Sequence, residues 1–112
     1  MLIIDEDNNI TLTRSDSCAV SLSVIDSEGE SYDYSSDLVQ LTIKGSTNTQ
    51  HVVIQKTITN DFFKITPEDT KDLDYGIYKY DVQLITQNND VYTIIGPCDF
   101  ILAEEVNYNV TR

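Results

Sequence analysis

The chain has 112 residues, enough for one compact unit at about 150 residues per domain. Its 40% hydrophobic and 23% charged content is that of a folded chain, not a disordered one. Seven Lys and Arg against 19 Asp and Glu leave a net charge of −12, a field that repels phosphate backbones and anionic bilayers. Neither nucleic acid nor membrane is an expected partner. No apolar run approaches the ~20 residues of a membrane span, and residues 1–9, MLIIDEDNN, place acids where a signal peptide carries bases. No export signal is expected.

The dominant pattern along the chain is apolar–polar alternation of period two, which predicts strands with one wet face. Met1, Leu2, Ile3 and Ile4 form an apolar opening before Asp5. A first strand is expected around Ile10, and a second over 18–24 with Cys18, Val20, Leu22 and Val24 on one face. Asp26, Ser27, Glu28 and Gly29 supply a tight turn. Val39, Leu41 and Ile43 share the inner face of the next strand, and a polar loop over 44–50 follows. Strands at 52–58 and 62–65 precede one helical turn over 67–73. There Thr66 caps, Pro67 takes the first helical position, and Asp69 stands where a capping-box acid belongs. Tyr78, Tyr80, Val82 and Leu84 share a face, and the loop over 87–90 turns the chain into strands at 91–95 and 98–102, separated by Gly96-Pro97. Clean one-face alternation predicts antiparallel sheets.

Residues that could carry chemistry are few. His51 is the single histidine, follows a polar loop, and has no nucleophile motif to serve. Cys18 and Cys98 are far apart with no metal-ligand spacing, so both read as buried thiols. Asp5, Asp7 and Asn9 imitate the first ligands of a calcium loop, but Ile10 holds the place of its glycine. Asp26, Glu28, Glu30, Asp33 and Asp37 are expected to alternate faces along a hairpin and disperse. No metal and no cofactor is expected. Asn9 and Asn109 head glycosylation tripeptides without an export signal to support them. Seven tyrosines and no tryptophan are the compositional oddity, with Tyr32, Tyr34, Tyr75, Tyr92 and Tyr108 as candidates for a recognition surface.

The run LDYGIYKY over 73–80 follows the helical turn and opens a long alternating strand. It resembles the tyrosine corner of immunoglobulin-like sandwiches, with Tyr78 as the corner residue, buried and bonded to backbone in the preceding connection. The expected fold is therefore all-β, an antiparallel Ig-like β-sandwich of seven to nine strands with one short helical turn, in one domain over 1–112. Strand A would fall around Ile10, B around Cys18, C around Leu41, C′ around Val53, E around Phe63, F around Tyr80, and G from Ile94 to Phe100.

Taken alone, the residues do not say what the protein does. Their order, however, resembles the small Ig-like modules of tailed-phage virions, especially the N-terminal module of phage baseplate upper proteins. The segments ITLTRSDS (10–17), DSEGESY (26–32), ITPEDT (65–70), LDYGIYKYDVQL (73–84) and FILAEEV (100–106) carry the resemblance. Ser15 stands where the family often has Gly. Baseplate upper proteins also continue into further domains, whereas this sequence ends at Arg112. The resemblance implies a non-enzymatic structural protein of the virion, made in the bacterial cytoplasm. Its partners would be other virion proteins or further copies of itself, as a capsid decoration or an accessory of the neck, tail or baseplate. Met1, Leu2, Ile3 and Ile4 are the candidate docking segment, by strand addition to a sheet edge. The rival expectation is a glycan- or receptor-binding module, which calls for exposed tyrosines in a concave site.

Overall fold

The structure, a computed structural model, describes residues 2–46 and 51–104. Met1, the end of the 44–50 loop, Glu105, Val106, Tyr108 and the tripeptide at Asn109 lie outside the described residues. Among the described residues, eight strands and one helical turn follow one another: β1 Leu2–Ile4, β2 Ile10–Thr13, β3 Cys18–Ser21, β4 Leu38–Lys44, β5 Val52–Thr57, β6 Phe62–Ile65, α1 Pro67–Thr70, β7 Gly76–Ile85 and β8 Val91–Ala103. Six strands form one sheet in the order β1-β2-β8-β7-β4-β5, and β3 pairs with β6 in a second.

The larger sheet is mixed, which corrects the all-antiparallel expectation. β2 runs parallel to β8, with Ile10 against Phe100 and Leu12 against Leu102. One-face alternation reports that a face is buried; it does not report the direction of the neighbour. No hairpin joins β2 to β8, so no short turn constrains them to run antiparallel.

A second correction concerns Gly96-Pro97, which does not divide two strands. β8 runs through it, and the disruption appears as a bulge. Between the pairs Tyr80–Cys98 and Val82–Ile95, β8 advances three residues while β7 advances two. The extra residue absorbs a proline that has no N–H to give the ladder. A third correction is the shorter second strand, which stops at Ser21; the Leu22 N–H instead donates to the Asp61 carbonyl at 3.1 Å.

Both sheets contribute to one core. Ile10, Leu12, Val39, Leu41, Ile43, Tyr80, Val82, Leu84 and Phe100 come from the large sheet, and Cys18, Phe63 and Ile65 from the small one. The period-two faces of β4 and β7 are the reason: alternate residues point the same way. Each fully buried aliphatic or aromatic side chain contributes about 1.5–3 kcal/mol.

The connection from β6 to β7 is built by side chains acting on backbone. Asp69 accepts from the Thr66 N–H at 2.8 Å and from the Thr66 hydroxyl at 3.0 Å, and pairs with Lys56 at 2.9 Å. Burial pushes the Asp69 carboxyl up, but these donors outweigh it and hold the group below the ordinary 3.8. A carboxyl whose value is lowered by folding stabilises the fold above the ordinary value and loses that contribution as pH falls through the lowered one. Asp69→Ala is therefore expected to cost about 1–2 kcal/mol at neutral pH. Urea denaturation across the acid range should show the two proteins converging below the aspartate range.

Thr70 is the buried polar residue of this region, and its hydroxyl accepts from the Ser15 N–H at 2.8 Å. Ser15 itself sits at φ 69°, in the left-handed region that suits glycine. A residue other than Gly costs about 1–2 kcal/mol there, offset by the greater freedom glycine has when unfolded. Ser15→Gly is expected to raise stability by up to about 1 kcal/mol, seen as a higher urea midpoint with unchanged slope.

Candidate functional site

The strand registers define two ends of the large sheet. Lys44 and Lys79 stand opposite each other at one, and Leu38, Ile85 and Val91 at the other. The register from Leu2 through Leu12 and Leu102 to Gly76 places β1 at the lysine end.

At that end β1 is the outermost strand, and its three residues are exposed: Leu2 36%, Ile3 50% and Ile4 45%. Of the candidate docking segment, Leu2, Ile3 and Ile4 thus form an edge strand of the chain's own sheet, while Met1 lies outside the described residues. Leu2 and Ile4 sit beside the buried Leu12 and Ile10 on the core side of the sheet but remain exposed at its edge. Ile3 belongs to the outer face, in a cross-strand row that continues through Thr11, Ile101 and Ile77. Ile77 is 62% exposed, so the row is an apolar stripe at this end of the outer face, which carries a second apolar row, Leu38–Ile85–Val91, at its other end.

The acidic turn after β1 is fastened to the sheet. The Tyr80 hydroxyl donates to the Asn8 carbonyl, the Cys98 thiol reaches the Asp7 carbonyl at 3.4 Å, and the Asp99 N–H donates to Asn9 Oδ1 at 2.9 Å. Asp5 Oδ1 accepts from the N–H groups of Asp7 and Asn9, both at 2.9 Å, and the Asn9 N–H holds its carboxyl below the usual value. The calcium-like residues Asp5, Asp7 and Asn9 therefore form a self-bonded turn.

Tyr78 is half-buried, not buried as expected, and its hydroxyl donates to the Asp74 carbonyl at 2.8 Å. The fully enclosed tyrosine is its neighbour on the same face, Tyr80, whose hydroxyl is taken up by the Asn8 carbonyl of the turn after β1. Cys18 is buried, Cys98 half-buried, and both are free thiols. Burial pushes both up, so neither presents a ready thiolate. His51 lies exposed just ahead of β5, at the lysine end.

The opposite end carries a cleft of about 700 Å³ between residues 24–32 and the start of β8, lined by Val24, Ile25, Tyr32, Thr86, Tyr92 and Ile94 among others. Residues 24–32 are a preorganised hairpin. The Tyr32 N–H donates to the Val24 carbonyl and the Asp26 N–H to the Glu30 carbonyl, both at 2.8 Å, and Asp26 Oδ1 accepts from the N–H groups of Glu28 and Glu30. Gly29 takes φ 80° to close it. The Tyr32 hydroxyl donates to Asp37 Oδ2 at 2.6 Å; that hydrogen bond raises the phenol above its ordinary value and orients the ring. Tyr92 is 55% exposed across the cleft.

Of the tyrosine candidates, the structure brings Tyr32 and Tyr92 together. Tyr34 is half-buried with its hydroxyl 2.8 Å from Asp61, and Tyr75 lies at the lysine end under the Arg14 guanidinium, 4.2 Å from its ring centre. The acids of 26–37 lie along the 24–32 hairpin and the loop after it, and among the described residues no three acidic, His or Cys side chains come close enough together to hold a metal ion. Comparison with protein-family models, with curated proteins and with solved structures finds no match to this chain.

Proposed function

We propose that this chain is an Ig-like β-sandwich that serves as a non-enzymatic docking protein of a tailed-phage particle. The strand order supports the fold: β8-β7-β4-β5 corresponds to G-F-C-C′ and β3-β6 to B-E, with Tyr78 as the corner tyrosine at the start of F. The particle assignment rests on the resemblance of residues 10–17, 26–32, 65–70, 73–84 and 100–106 to virion modules. The observation that carries the docking role is the exposed edge strand Leu2–Ile4 beside the Ile3–Ile101–Ile77 stripe. An open edge offers N–H and C=O groups for strand addition, and the isoleucines supply apolar area once water leaves. Repeated over many copies, a modest contact becomes a stable attachment.

Mass spectrometry of purified particles tests the location, and absence of the chain from them overturns it. The contact is tested by Ile3→Ser with Ile77→Ser. Both side chains are at least half exposed, so the isolated domain should change by no more than about 0.5 kcal/mol. Incorporation into particles should fall at least about tenfold, since each buried isoleucine is worth about 1.5–3 kcal/mol at a dry contact. Normal incorporation of the double variant removes the stripe from the interface.

A further inference from the structure

The cleft at the other end is apolar in its floor and aromatic at its walls, and its surroundings say what would occupy it. Residues 15–43 and 80–104 contain no Lys or Arg, and they build nearly all of this end of the molecule. Its loops carry Asp26, Glu28, Glu30, Asp33, Asp37, Asp61 and Asp90. Several of these carboxylates are engaged: Asp26 by its own hairpin, Asp33 by the Ser35 N–H at 2.9 Å, Asp37 by Tyr32 and Asp61 by Tyr34. Glu28, Glu30 and Asp90 are exposed, and the ion pairs at Asp69, Glu68 and Asp99 lie elsewhere. An apolar groove under a one-sign field selects by charge. Anions are repelled, neutral ligands gain nothing from the field, and cations are drawn in and can stack on the tyrosine faces.

We propose that this cleft receives a basic peptide segment of a partner protein. One Arg or Lys lies against Tyr92 and Tyr32 beside the acidic hairpin that lines the cleft with Asp26 and carries Glu28 and Glu30 at its exposed tip, and an adjacent apolar side chain enters the floor between Val24, Leu84 and Ile94. The cleft lies at the far end of the sheet from β1, so a chain held by its edge strand still presents it. The assignment does not depend on the particle reading.

The test is an amide NMR titration of the full chain with a short peptide of alternating Arg and Leu, its Glu–Leu counterpart, and a neutral oligosaccharide. The Arg peptide should shift Ile25, Thr86, Tyr92 and Thr93, with affinity falling steeply as salt rises from about 50 to about 300 mM. Tyr92→Ser keeps the charge and should weaken binding about three- to tenfold. Glu28→Gln with Glu30→Gln should weaken it similarly and flatten the salt dependence. Shifts spread over the whole surface, or an unchanged affinity in Tyr92→Ser, reduce the effect to bulk attraction by the −12 charge and overturn the proposal. Oligosaccharide shifts in the cleft without peptide shifts overturn it in favour of a glycan site.

Discussion

Phe63→Ala is expected to lower the unfolding free energy by about 3–5 kcal/mol, a large share of the stability of a domain this size. Phe63 is 1% exposed on β6, opposite Val20 of β3, and belongs to the core shared by both sheets. A two-stranded sheet is marginal in water by itself, so β3 and β6 persist because their inner residues are embedded in the face of the larger sheet. Truncating the largest of those residues removes the anchor and leaves a cavity that neighbouring side chains fill only in part. Phe62 provides the control. It is the next residue, 44% exposed on the other face, and Phe62→Ala should change stability by about 0.5 kcal/mol or less. Urea denaturation followed by tyrosine fluorescence and by circular dichroism decides it. Equal effects from the two substitutions would mean that β6 does not hold its assigned face.

Gly96→Ala is expected to cost about 2–4 kcal/mol, from backbone strain and overpacking acting together. Gly96 sits at φ 100°, a conformation that side-chain-bearing residues rarely adopt. A Cβ there would stand 2.7 Å from the Tyr80 carbonyl oxygen and 3.0 Å from Asp81 Cα. Both are backbone atoms of the neighbouring strand, so no rotamer change relieves the contact. The ladder between β7 and β8 must open at the bulge, which lies next to the buried Tyr80. Gly29→Ala provides the comparison: it also has positive φ, but no atom lies within 4 Å of the added Cβ. Its cost should be the conformational part alone, about 1–2 kcal/mol. If the two glycines respond equally, close approach of the strands at Gly96 contributes nothing.

The amino-acid sequence determined those features that depend on a few neighbouring residues. The inner faces of β4 and β7 follow from side chains alternating at period two, so Val39, Leu41, Ile43, Val82 and Leu84 are buried where alternation places them. The start of α1 follows from the spacing of Thr66, Pro67 and Asp69, and the 86–90 turn from the tolerance of Asn89 for φ 67°. Such signals act within a few residues and do not need the rest of the chain. Tertiary structure decided everything that depends on what lies opposite. The parallel pairing of β2 with β8 joins segments about ninety residues apart, and no local preference encodes its direction. The same holds for the enclosure of Tyr80 over Tyr78 and for the bulge that carries β8 through Gly96-Pro97. Thr70 gives no periodic signal, because its burial answers the Ser15 N–H on a distant loop. The cleft is the furthest from local reading. Tyr32 and Tyr92 meet there because β3 ends early and the 24–32 hairpin folds over the start of β8. Each tyrosine has an ordinary strand or turn context in the sequence, and the concave surface exists only once the two are packed together.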